Sequence, residues 1–138
     1  MKTLAPGSTI GMLGGGQLGR MMALAAAELG FKVHVFTNEI DGPTEQVCNA
    51  VTHADYDDKK ALLEFANKVD VVTYEFENIP VETVNVLTGV INVFPNAKVL
   101  EVSQDRLTEK KFINDLGIET APFKDVSTLE EAEEALKD

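Results

Sequence analysis

The chain has 138 residues, 44% hydrophobic and 25% charged, enough for one globular domain with its own core and too few for two full ones. Twelve Lys and Arg against 23 Asp and Glu give a net charge of −11 with no basic run, a field that repels a phosphate backbone and argues against a nucleic-acid partner. Cys48 is the only cysteine, so no internal disulfide forms, and with no signal-peptide core and no 18-residue apolar run the expectation is a cytoplasmic protein without a membrane partner.

Four short β-branched and aromatic runs read as buried strands: STIGML (8–13), KVHVF (32–36), DVVTY (70–74) and VINVF (90–94), with a short extra strand near 50–53. Between the first two, Leu18, Met21, Met22, Ala25 and Leu29 recur at helical spacing and Gly30 supplies a stop. Asp58 to Lys68 repeats that pattern, and Pro80 opens a further helix from Val81 to Leu87. Strand and helix alternating at this spacing argue for right-handed βαβ units, an α/β fold with a Rossmann-like parallel sheet and helices on both faces.

After Pro95 the spacing predicts a helix from Gln104 to Leu116, ended by Gly117, then an extended segment IETAPFKDV. STLEEAEEALKD follows as a helix opened by a capping box of Ser127 with Glu130. Its apolar residues Leu129, Ala132 and Leu136 have nothing evident in this chain to pack against.

Gly14, Gly16 and Gly19 satisfy G-x-G-x-x-G directly after a strand and before a helix, the context in which backbone N–H groups at a helix start receive an anion. Glu39 lies 20 residues past Gly19, where a dinucleotide fold places its ribose-binding acid. The spacing therefore leaves open the dinucleotide-binding domain of an NAD(P)-dependent oxidoreductase. It also leaves open glycines that only pack strand against helix. Glu75 and Glu77, in YEFEN at a strand end, would share one face if the strand continued. Such a pair is costly unless a cation, an amine or water relieves it, and it can equally be two solvated loop acids. Arg106 opens a helix and carries a fork of donors suited to phosphate. His34 alternates with Val33 and Val35 and reads as a satisfied sheet histidine, and Cys48 as a structural thiol. No His, Cys or acid cluster has metal-ligand spacing, so no metal site is expected.

The combined strings GGGQLGRMMALAAAELG (14–30), VTYEFENIP (72–80) and SQDRLTEKKFINDLGIETAPF (103–123) are more specific. Together they resemble the N-terminal part of the N5-carboxyaminoimidazole ribonucleotide synthetases, ATP-grasp ligases of purine biosynthesis also described as the phosphoribosylaminoimidazole carboxylase ATPase subunit. The resemblance implies that 1–100 is a pre-ATP-grasp, substrate-side domain and 101–138 a linker helix with the first strand and helix of an incomplete ATP-grasp domain. It implies that the parent enzyme joins bicarbonate to the amine of aminoimidazole ribonucleotide through carboxyphosphate, converting ATP to ADP. Gly16, Gln17, Leu18, Glu75 and Glu77 are then expected to meet the ribonucleotide and Arg106 to reach ATP. No catalytic residue is expected in this chain, Mg²⁺ and most ATP ligands are expected past residue 138, and the chain alone is expected to be inactive. The resemblance also implies a homodimer. A non-enzymatic nucleotide-binding module is the remaining alternative.

Overall fold

The computed structural model describes residues 3–74 and 76–137. It divides into two compact units, Met1–Glu101 and Val102–Asp138.

In the first unit the elements are β1 (Thr9–Leu13), α1 (Gln17–Glu28), β2 (Lys32–Thr37), β3 (Ala50–His53), α2 (Lys59–Ala66), β4 (Val71–Tyr74), α3 (Val81–Thr88) and β5 (Val93–Phe94). The five strands are all parallel and lie in the order β3-β2-β1-β4-β5. The chain starts in the middle, winds outward to β3, then crosses back to β4. Because such crossovers are right-handed, reversing direction moves the next helix to the opposite face. The core shows this. Met12, Val33 and Val35 pack with Ala23 and Ala26 of α1. Their alternates Leu13 and Phe36 pack with Val72, Leu62 and Phe65 of α2, and Val84 and Leu87 of α3. The period of two along each strand thus feeds two separate apolar layers. Asp58 caps α2, its carboxylate accepting from the Ala61 N–H at 3.0 Å.

The 90–94 strand is shorter than the sequence suggests. Val90 and Ile91 N–H groups donate back to the Leu87 carbonyl at 2.9 Å, so they finish α3 and leave only Val93–Phe94 for the ladder. A helix the sequence reading missed, α4 (Ala97–Gln104), follows at once. Its signal was present, since the Asn96 side chain accepts from the Val99 N–H at 3.1 Å as an N-terminal cap does. Its Leu100 joins the core layer of α2 and α3.

In the second unit, α5 (Arg106–Asp115) is capped by Asp105, which accepts from the Thr108 N–H at 2.8 Å and hydroxyl at 2.6 Å. Those two bonds hold the Asp105 carboxyl below its ordinary range. Residues 118–126 are not a strand, because they make no ladder with any other segment among the described residues. The capping box of α6 (Leu129–Ala135) is one residue later than expected, formed by Thr128 and Glu131. The Glu131 carboxylate reaches back to the N–H groups of Ser127 at 2.7 Å and Thr128 at 3.2 Å, which fixes the register that Ser127 and Glu130 would otherwise set.

Candidate functional site

The first glycine of the loop is required by backbone shape. Gly14 has φ +104°, a conformation that side chains disfavour, and its N–H donates to the Phe36 carbonyl at 2.9 Å. The chain then turns into α1, whose N-cap is Gly16 with φ −75° and ψ −171° and no side-chain cap hydrogen bond. The first N–H groups of a helix have no intrahelical acceptor, and α1 carries no acid in its first turn to serve them. They form an electropositive end directed at the end of β1. Gly19 has a different task. A Cβ there would lie 2.6 Å from the Thr44 hydroxyl and 3.2 Å from the Met12 sulfur, so this glycine packs helix against sheet and loop.

The carbonyl side of the loop is held by the connection between β2 and β3. Thr44, fully buried, donates its N–H to the Gly15 carbonyl at 3.0 Å and its hydroxyl to the Gly16 carbonyl at 2.8 Å. Arg20 bonds the Pro43 carbonyl at 3.3 Å and the Gln46 side chain, so it ties α1 to this connection instead of facing solvent as a free cation. Glu45 accepts from the Gly42 N–H at 3.1 Å and meets His53 Nε2 at 3.1 Å. Burial alone would raise the Glu45 carboxyl, but the Gly42 N–H and His53 outweigh it and hold it below its ordinary value.

The direction of winding reverses between β1 and β4, and open α/β sheets receive ligands at the carboxyl ends of strands beside such a switch. Leu13 pairs with Tyr74, so the glycine loop and the YEFEN segment leave the same sheet edge. Phe76 comes close enough that a Cβ on Gly14 would lie 3.3 Å from its own. A cleft of about 70 Å³ opens there, lined by Gly14–Gly16, Thr37, Asn38, Glu39, Tyr56 and Phe76. Thr37, Asn38, Tyr56 and Phe76 were not singled out from the sequence. Their signal is position, since Thr37 ends β2 and Asn38, Tyr56 and Phe76 follow β2, β3 and β4 at the same edge as the loop.

Gly16, Gln17 and Leu18 form the start of α1, with Gln17 exposed and Leu18 56% exposed. Glu75 lies outside the described residues. Glu77 is exposed in a turn that begins after Phe76, because β4 stops at Tyr74. The shared strand face expected of Glu75 and Glu77 involves Glu75 and so falls outside the described residues, while Glu77 is placed by a turn. Arg106 is the first residue of α5 in the second unit and pairs with Glu109. Lys110 bonds the Ala121 carbonyl at 3.2 Å and stands over the Phe123 ring. His34 is buried, with Nε2 2.9 Å from the Thr52 hydroxyl, as a satisfied sheet histidine. Among the described residues no group of three His, Cys, Asp or Glu side chains could hold a metal ion, and no helix is long and apolar enough to cross a membrane.

A parallel sheet in this order, with a glycine-rich turn at its switch point and helices on both faces, defines a Rossmann-like α/β domain. Within that class, the family model described as the ribonucleotide synthetase preATP-grasp domain matches residues 7–104. The chain belongs to this family. It is 52% identical over 122 residues to the N5-carboxyaminoimidazole ribonucleotide synthase of Brucella melitensis, covering 88% of this chain and 34% of that one. The crystal structure of N5-carboxyaminoimidazole synthetase from Staphylococcus aureus complexed with ADP superposes with a TM-score of 0.89 at 39% identity, over 99% of this chain and 37% of that chain. The Aspergillus clavatus N5-carboxyaminoimidazole synthase, in complex with ADP and 5-aminoimidazole ribonucleotide, superposes with a TM-score of 0.74 at 25% identity, over 85% and 31%. The chain spans about a third or less of the length of the curated relatives it matches.

Proposed function

We propose that this chain is the acceptor-substrate side of an ATP-dependent ligase that carboxylates 5-aminoimidazole ribonucleotide with bicarbonate in purine biosynthesis. The observation that carries this reading is the family match across residues 7–104, which includes the glycine loop and the turn of Glu77 at one edge of the sheet. It favours the ribonucleotide over a dinucleotide as occupant of that edge. The start of α1 supplies N–H donors at Gly16, Gln17 and Leu18 for the ribonucleotide's phosphate or sugar, and the Gln17 amide can both donate and accept. Glu77, with Glu75, accepts hydrogen bonds from the amine or ribose hydroxyls. Arg106 contributes to ATP, which supplies the phosphoryl group that turns bicarbonate into carboxyphosphate. Mg²⁺ would accompany the ATP, and among the described residues no group of three His, Cys, Asp or Glu side chains would hold it. The working enzyme is proposed to be a cytoplasmic homodimer.

The test is ADP release by the intact enzyme. Release that requires bicarbonate and rises with aminoimidazole ribonucleotide supports the reading. Saturable NADH binding, with no response to the ribonucleotide, overturns it in favour of the dinucleotide alternative.

A further inference from the structure

The connection between β2 and β3 runs from Asn38 to Asn49 without helix or strand and closes over the start of α1. Gly15 accepts from the Thr44 N–H at 3.0 Å, while Gly16 accepts from the Thr44 hydroxyl at 2.8 Å and from the Arg20 N–H at 3.1 Å. Gly42 sits so close that a Cβ on it would lie 2.8 Å from the Gly15 oxygen. In a trans peptide the C=O and the following N–H point in opposite directions. Holding the Gly15 and Gly16 oxygens against Thr44 therefore turns the N–H groups of Gly16 and Gln17 away from this connection. The turn at Gly16 is itself open, since a Cβ on Gly16 would meet nothing within 4 Å.

We infer that Thr44 is a positioning residue for the ribonucleotide, fixing through two hydrogen bonds the orientation of the peptide N–H donors at Gly16 and Gln17. The inference rests on the proposed reading that the ribonucleotide occupies the glycine loop. Thr44 itself is fully buried under the loop, so it acts through the loop backbone and not by direct contact. Its second support is the Glu45 carboxylate, which bonds the Gly42 N–H and His53 at 3.1 Å each and braces the turn that carries Thr44.

The test uses steady-state kinetics of the intact enzyme with each substrate varied in turn. Thr44→Val keeps the branched shape and removes the hydroxyl donor. It should raise the KM for aminoimidazole ribonucleotide about three- to tenfold, leaving kcat and the KM for ATP near wild type, as the loss of one hydrogen bond's orienting effect would. Thr44→Ser retains the donor and should stay within about twofold of wild type on the same argument. Gly42→Ala pushes on the Gly15 oxygen from the same side and should raise the same KM even if Thr44→Val folds poorly. Gly16→Ala, which puts a methyl group where the ribonucleotide would sit, reports on the underlying reading. If Gly16→Ala raises the KM and neither Thr44→Val nor Gly42→Ala does, the positioning role is overturned and the site stands. If none of the three moves it, the site reading fails and the inference with it. A Thr44→Val protein that melts earlier with both KM values unchanged shows Thr44 to be structural only.

Discussion

The His34 imidazole stands edge-on to the Phe65 ring, with centroids 5.0 Å apart and planes at 79°. Burial in that contact, and secondarily the charge of Lys68, lowers the His34 pKa below its ordinary 6.5. A folded pKa below the unfolded one means the unfolded chain takes up the proton first. The stability contributed by neutral His34 is thus complete above 6.5 and is lost as pH falls through the folded value. His34→Gln removes this titration. Between about pH 7.5 and about pH 5 the urea midpoint of wild type should fall further than that of His34→Gln, whose curve lacks the histidine's contribution. Parallel losses in the two proteins would assign the acid sensitivity elsewhere.

The glycines of the loop separate by what a substitution would meet. A Cβ at Gly19 lands 2.6 Å from a Thr44 hydroxyl that is fixed by its own bond to Gly16 and 3.3 Å from the Gly14 carbonyl, so neither neighbour can yield freely. Overpacking of this kind costs about 1–3 kcal/mol, against about 1 kcal/mol gained from helix propensity. Gly19→Ala should therefore lose up to about 2 kcal/mol in urea unfolding. Gly16→Ala meets open space with an ordinary φ of −75° and should lose less than about 1 kcal/mol, the cost of a poorer cap residue. Equal losses would remove the distinction between the two positions.

Much of this division was legible in the sequence and some of it could not be. The alternation of short β-branched runs with helical spacing follows from residue type alone, and it yielded the parallel sheet with helices on both faces. The split of Met12 from Leu13 and of Val35 from Phe36 between two layers is hidden, because the neighbouring residues are both apolar. The G-x-G-x-x-G spacing located the turn. What the motif could not show is which glycine faces the cleft and which faces the core, because that depends on Thr44, 28 residues beyond Gly16. The same limit applied to Glu77, whose placement depends on where β4 ends, at Tyr74, and on the turn that follows, neither of which its spacing reveals. The α4 helix was missed because two of its apolar residues, Val99 and Val102, are β-branched and its cap, Asn96, directly follows a proline that read as a boundary.

Cys48 offers a simple check on the connection that carries Thr44. Its sulfur lies 3.7 Å from the Glu45 carbonyl, and burial, aided by the Glu45 charge, pushes the thiol above its ordinary 9.0 despite opposing backbone hydrogen bonds. The thiolate is the reactive form, so a raised pKa and partial burial both slow attack. DTNB at about pH 8 should modify native Cys48 several-fold more slowly than the urea-unfolded chain. Equal rates would mean that residues 43–48 do not hold their closed arrangement.

Glu77 carries the most specific functional expectation. On the proposed reading, the exposed carboxylate in the turn after β4 accepts a hydrogen bond from the acceptor amine or a ribose hydroxyl and so fixes the nucleophile beside carboxyphosphate. Glu77→Gln preserves size, removes the charge, and presents donors to groups that also donate. Loss of a charged hydrogen bond costs about 1.5–3 kcal/mol, so kcat/KM for aminoimidazole ribonucleotide in the intact enzyme should fall about ten- to a hundredfold. The KM for ATP should stay near wild type. Arg106→Ala is the matched control, because its guanidinium lies at the start of α5 in the other unit. It should raise the KM for ATP and leave ribonucleotide affinity largely intact. Varying each substrate in turn on both variants separates the two roles. Wild-type kinetics toward the ribonucleotide in Glu77→Gln would make Glu77 a solvated turn acid and move the acceptor contact elsewhere on this edge.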